Sequence, residues 1–114
     1  MSDLANEAPS APELERRAAP RARMALACTL RQRTSSPIWA ETIDVGLGGM
    51  SVRATRPLRA DALVDFDLAE SEESHVTGEA RVIRLAGPRV YGLRFERLRE
   101  PMPERLRRLV HGAR

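Results

Sequence analysis

From Met24 the chain alternates with period two: Met24, Leu26, Cys28 and Leu30 fall on one side, and Arg23, Ala25, Ala27, Thr29 and Arg31 on the other. Successive side chains of an extended chain point to opposite faces, so this alternation predicts a half-buried strand. Thr34-Ser35-Ser36-Pro37 reads as a turn. Ile38 to Ile43 reads as a second strand, with Trp39 and Ile43 on one face and Trp39 in the barrel wall or a groove. Asp44 to Gly49 holds three glycines in six positions and predicts a tight loop that uses special φ values. Met50 to Thr55 alternates again, with Met50, Val52 and Ala54 together, and Pro57 to Asp61 breaks the pattern.

Ala62, Val64, Phe66 and Leu68 then oppose Leu63, Asp65 and Asp67. Ser71-Glu72-Glu73-Ser74 is a polar hairpin turn, Val76 to Leu85 a long strand with Ala80 and Val82 inward, and Ala86-Gly87-Pro88 another turn. Val90 to Phe95 closes the series with Tyr91, Leu93 and Phe95 on one side. Six short strands separated by turns predict a mainly all-β fold. A two-sheet sandwich wants more strands, so the expected architecture is a six-stranded antiparallel β-barrel.

The end of the chain changes period. Met102, Leu106, Leu109 and Val110 fall on one helical face, with Pro103 and Glu104 suited to the first turn and Gly112 to the stop. A short C-terminal α-helix is therefore expected to cover one side of the barrel, with its arginines on a solvated face. At the other end, residues 1–14 are Ala, Pro, Ser and Glu without apolar periodicity and read as a flexible N-terminal tail; residues 15–114 form the single folded unit.

Composition narrows this picture. Hydrophobic residues make up 42% of the chain and aromatics 4%, so the core must be built from Leu, Val, Ile, Met and Ala. The longest apolar run is far short of the ~20 residues of a membrane helix, and the N-terminus carries acids before any base, unlike a signal peptide. Cys28 stands alone, so no intramolecular disulfide can form. These features predict a cytoplasmic protein with no membrane insertion. The net charge of +3 is too small and too interrupted by acids to argue for DNA. All 19 basic residues are arginine and none is lysine, which excludes Schiff-base chemistry and a P-loop. Ala and Leu are abundant as well, so the arginine bias as a whole fits a GC-rich coding sequence; the position of individual arginines needs a separate explanation.

Two short segments carry chemistry. Arg17 and Arg21 form R-x-x-x-R where the tail meets the first strand, with Pro20 holding the segment extended. Asp44-Val45-Gly46-Leu47-Gly48-Gly49 has the form D-x-G-x-x-G. Guanidinium forks match phosphate and the O6/N7 edge of guanine, and stack on purine rings. A carboxylate accepts from guanine N1–H and the exocyclic amine, and glycines let the backbone approach a flat base. Two readings fit: a guanine-and-phosphate reader, and a structural hairpin with a charged hinge.

In this order and strand context the two segments resemble those of the PilZ domain family. That resemblance implies a six-stranded barrel, and it implies binding of the bacterial second messenger cyclic di-GMP. The family pattern is R-x-x-x-R followed by [DN]-x-S-x-x-G, with a late strand similar to Tyr91-Gly92-Leu93-Arg94-Phe95. The resemblance implies a ligand site of Arg17, Arg21, Asp44, Gly46 and Gly49, with Arg16 as an additional candidate for a stacked ligand dimer. It implies no enzymatic activity and no cofactor, with cyclic di-GMP itself as the ligand. The expected action is ordering of the mobile segment through Arg21, signalled to a partner protein of motility or exopolysaccharide machinery. One departure stands out: Gly46 occupies the place of the family serine. The rival expectation is therefore an adaptor that no longer binds the nucleotide.

Other chemistry is thin. His75 and His111 lie far apart, no Cys/His cluster has ligand spacing, and Ser35 and Ser36 have no neighbouring histidine. Cys28 reads as core, and Asp65 with Asp67 as a solvated edge. Single-stranded nucleic acid binding would want aromatic platforms that this chain lacks.

Overall fold

The computed structural model describes residues 21–33 and 35–112. Seven strands run in chain order: β1 (Arg21–Arg23), β2 (Ala27–Gln32), β3 (Ile38–Gly46), β4 (Gly49–Ala54), β5 (Leu63–Ala69), β6 (His75–Gly87) and β7 (Val90–Arg97). One helix follows, α1 (Met102–Gly112). The ladder order β1-β3-β2-β5-β6-β7-β4, with β4 returning to pair with β3, closes the sheet on itself. Every pairing is antiparallel.

β1 and β2 are two pieces of one barrel strand. β2 runs along the first part of β3, and β1 along its last part, with Arg21 opposite Gly46 and Arg23 opposite Asp44. The closed barrel thus has the expected six strands. The first strand differs from its expected span in one respect: Met24–Leu26, read as strand, is an interruption. Thr42 fills that gap. Its hydroxyl accepts from the Leu26 N–H at 2.8 Å and donates to the Met24 carbonyl at 2.6 Å. The Thr42 side chain is buried, and these bonds repay its desolvation.

The core follows the alternation. Leu30, Val45, Met50, Val52, Val64, Leu68, Val76, Val82 and Leu93 are buried in the barrel. Phe66 and Phe95 stack with centroids 5.0 Å apart. Leu106, Leu109 and Val110 of α1 are buried too, and the helix packs on β6 and β1. At 2% or less exposure along most inward positions, the apolar set is a filled core rather than a lumen.

β3 departs from expectation. Trp39 points outward and is 64% exposed, while Ile38 and Thr42 are buried. The pairing with β4 shifts register between Thr42 and Asp44, so Ile43 is an extra residue that re-aims the strand before Val45 turns inward. Sharing a face with Ile43 therefore does not place Trp39 in the core. The other apolar strand positions fall as the period predicts.

Candidate functional site

The β3–β4 hairpin is tighter than the expected loop. Asp44, Val45 and Gly46 are still strand, only Leu47 and Gly48 form the turn, and Gly49 opens β4. No described glycine has a positive φ, so left-handed backbone is not what these glycines supply. Gly49 is required for another reason. A Cβ there would stand 2.2 Å from the Leu93 carbonyl oxygen of β7. The turn is pinned to the same strand, because the Phe95 N–H donates to the Gly48 carbonyl at 2.9 Å. Close backbone approach holds the hairpin rigid and flat against β7.

β1 brings Arg21 to this hairpin. It starts the first barrel strand, opposite Gly46, so it is not on a free segment as the sequence reading expected. Its Nη2 donates to Asp44 Oδ1. The two side chains retain 35% and 28% of their exposure. A pair that open to water is worth about 0–1 kcal/mol, and solvent or a ligand can reach both partners. Residues 23 apart in sequence are thus placed in one cluster: Arg21, Asp44, Gly46 and Gly49. Gly46 itself is buried. Arg16 and Arg17 lie outside the described residues.

Sequence reasoning missed three neighbours. Arg23 is exposed and stands in register with Asp44. Ser51 of β4 is the opposite partner of Asp44, which puts its hydroxyl on the carboxylate's side of the sheet. Arg94 of β7 pairs with Gly49 in register, and its Nη2 donates to Glu96 Oε2 at 2.8 Å. The Arg94 hydrogen bond, with a second from Arg81, holds the Glu96 carboxyl below its usual value. The signal for these three was available only as strand register, which the sequence alone does not set.

The rest of the described surface offers other chemistry at a distance. His75 opens β6, and its Nδ1 lies 2.5 Å from Asp67 Oδ1, so Asp67, still about half open to water, also has a hydrogen-bond partner in the imidazole. The Asp67 hydrogen bond and charge push the His75 imidazole up from its ordinary value. Arg105 of α1 donates to the His75 carbonyl at 3.1 Å, so this helix arginine serves packing and is not only solvated. A shallow cleft between the β5–β6 turn and α1 is lined by Glu70, Glu73, Ser74, Arg105 and Arg108, and contains none of the expected site residues. Burial pushes the Cys28 thiol up to about 12, as fits a core residue. Among the described residues no group of three or more His, Cys, Asp or Glu could hold a metal ion, and no helix is long and apolar enough to cross a membrane.

Comparison with known families decides the kinship: the model of the PilZ domain matches residues 15–112. The chain belongs to the PilZ domain family. Three solved structures, two of them PilZ domains, share its fold. The PilZ domain of CeSA from a cellulose-synthesizing bacterium is 20% identical, with a TM-score of 0.64 over 81% of this chain and 95% of that one. The PilZ domain of YcgR from Escherichia coli, solved with c-di-GMP, is 15% identical, with a TM-score of 0.71 over 86% and 91%. The Bacillus subtilis inhibitor of motility MotI/DgrA is 16% identical, with a TM-score of 0.70 over 91% of this chain and 55% of that one. At these identities the likeness is one of fold. No similar sequence is found among curated proteins. As a PilZ domain the chain has the architecture of a receptor and adaptor family rather than that of an enzyme.

Proposed function

We propose that this PilZ domain is a cyclic di-GMP receptor that passes ligand occupancy to a partner protein. The observation that supports this most is the Arg21–Asp44 pair beside the Gly46–Gly49 hairpin. It sets a guanidinium fork suited to phosphate and a carboxylate suited to a guanine edge side by side on a partly exposed surface. In the unliganded protein each group satisfies the other. A guanine edge offers Asp44 two N–H donors, and a phosphate offers Arg21 a bidentate acceptor, so the ligand can replace one weak pair by two charge-assisted contacts.

In this reading Arg17 supplies a second fork, Arg16 a third for a stacked ligand dimer, and Gly46 and Gly49 keep the hairpin close to the base. Arg21 already lies in β1, so in this reading the ligand acts on the segment before it, which lies outside the described residues. Ordering a chain segment against the barrel changes the surface seen by a partner, which is a general switching device. YcgR's PilZ domain with c-di-GMP and a motility inhibitor share the fold; a motility or exopolysaccharide component is the class of partner this suits.

The glycine at position 46 favours a second reading, a PilZ adaptor that works without nucleotide. Loss of one hydrogen bond from the missing serine hydroxyl is worth roughly 0.5–1.5 kcal/mol, up to about tenfold in affinity. That weakens a ligand without excluding it. Titrating wild type, Arg17→Ala, Arg21→Ala and Gly46→Ser with cyclic di-GMP separates the readings. The receptor reading expects saturable binding, its loss in both arginine variants, and binding tightened up to about tenfold by Gly46→Ser. Equal partner capture with and without nucleotide, and no titration, would support the adaptor.

A further inference from the structure

Trp39 is the chain's single tryptophan, and 64% of its surface is in water. It stands on a rigid strand. Its carbonyl accepts from both the N–H and the hydroxyl of Thr55, each at 2.9 Å, while Thr29 of β2 pairs with it on the other side. The backbone that carries the outward indole is therefore pinned, and covering the ring requires no rearrangement of the strand.

The charges around it are mostly positive, with Glu41 two residues along β3 as the adjoining acid. Arg56 Nη2 donates to the Pro37 carbonyl at 2.9 Å, two residues before Trp39. Arg89, at the left-handed tip of the β6–β7 hairpin, donates to the Thr55 carbonyl at 2.6 Å. Both guanidinium groups are thereby held beside the strand pair that carries the indole. Arg53 is exposed on β4, opposite Glu41 of β3 and Val90 of β7. Among the described residues none of these three arginines is within ion-pair distance of a carboxylate, and Glu41 is the acid that adjoins them in register.

We infer that the outer face around Trp39 docks an acidic segment of a partner protein that carries an apolar anchor. Tryptophan and arginine are the residues that dominate protein interfaces, and guanidinium forks with spare N–H groups suit carboxylates in fixed geometry. Charge complementarity selects the acidic partner. An anionic membrane fits less well, because Thr29, Glu41 and Thr55 beside the indole would enter the lipid with it. Nucleic acid fits less well, because a single exposed ring offers one stacking platform. The inference rests on the receptor-and-adaptor reading only in that a partner exists. The face lies about 17 Å along β3 from Asp44 (five residues of extended chain), so it is separate from the proposed nucleotide site.

The indole reports on its own surface. The full chain is titrated with a short synthetic peptide of Asp and Glu interspersed with Leu and Phe, free of Trp, while Trp39 emission is followed. A saturable blue shift that weakens with added salt is expected, with binding reduced about tenfold or more in Arg53→Glu and in Arg56→Glu. A labelled peptide followed by anisotropy reads the same loss in Trp39→Ala. No shift, a shift indifferent to charge reversal, or equal binding of a Lys-for-Glu peptide would overturn the proposal. So would a stronger response to phosphatidylglycerol vesicles or to a single-stranded oligonucleotide. Asp44→Ala is expected to leave the peptide titration unchanged, and Arg53→Glu to leave the cyclic di-GMP titration unchanged. Failure of either reading is therefore seen apart from the other.

Discussion

At the residue scale, the hairpin depends on one position where a side chain cannot fit. A methyl group at residue 49 would meet the Leu93 carbonyl, and backbone cannot swing aside as a side-chain end can. Gly49→Ala is expected to destabilise the fold by about 1–3 kcal/mol, read as a lower denaturation midpoint in urea. Gly48 faces open space, so Gly48→Ala is the control expected to change stability little. A second residue-scale effect concerns pH. Asp67 raises the His75 pKa above 6.5, so the folded state holds this proton more tightly than the unfolded chain. The resulting stabilisation is fully present below the unfolded value and is lost as pH rises through the folded one. The stability difference between wild type and His75→Gln is expected to shrink as pH rises from 6 to 8, measured by urea unfolding at each pH. A difference that grows with pH would contradict the pairing.

At the element scale, Thr42 holds the interrupted first strand to β3. Thr42→Val keeps the shape but leaves the Leu26 N–H without its acceptor and the Met24 carbonyl without its donor. The expected cost is about 2–4 kcal/mol, together with faster amide exchange at Leu26. This element also shows what could be read beforehand. Period-two alternation located β2, β4, β5, β6 and β7 and their inward residues, because burial on one face imposes that period directly. It failed on β3. There a bulge at Ile43 shifts the parity, a buried polar Thr42 serves the backbone of a neighbouring strand, and an apolar Trp39 faces water. None of these obeys the rule that apolar means inward. The helix was legible down to its buried residues, since Leu106, Leu109 and Val110 share one stripe.

At the scale of the whole molecule, closure of the barrel turns distant residues into neighbours. Arg21 and Asp44 were picked out by their chemistry, and it is the β1–β3 register that joins them. Arg23, Ser51 and Arg94 reach the same cluster through pairing alone and had no local mark. The rigid hairpin at one end of β3 and the exposed Trp39 near the other are two separate patches, the first proposed for a small anionic ligand and the second for a macromolecule. Receptor function needs the first face to take nucleotide despite the glycine at position 46. The most direct measurement is calorimetric titration of the wild-type chain with cyclic di-GMP, alongside Asp44→Ala. The account predicts saturable heat for the wild type at micromolar concentrations and none for Asp44→Ala. No heat from the wild type, or equal heat from both, would contradict it.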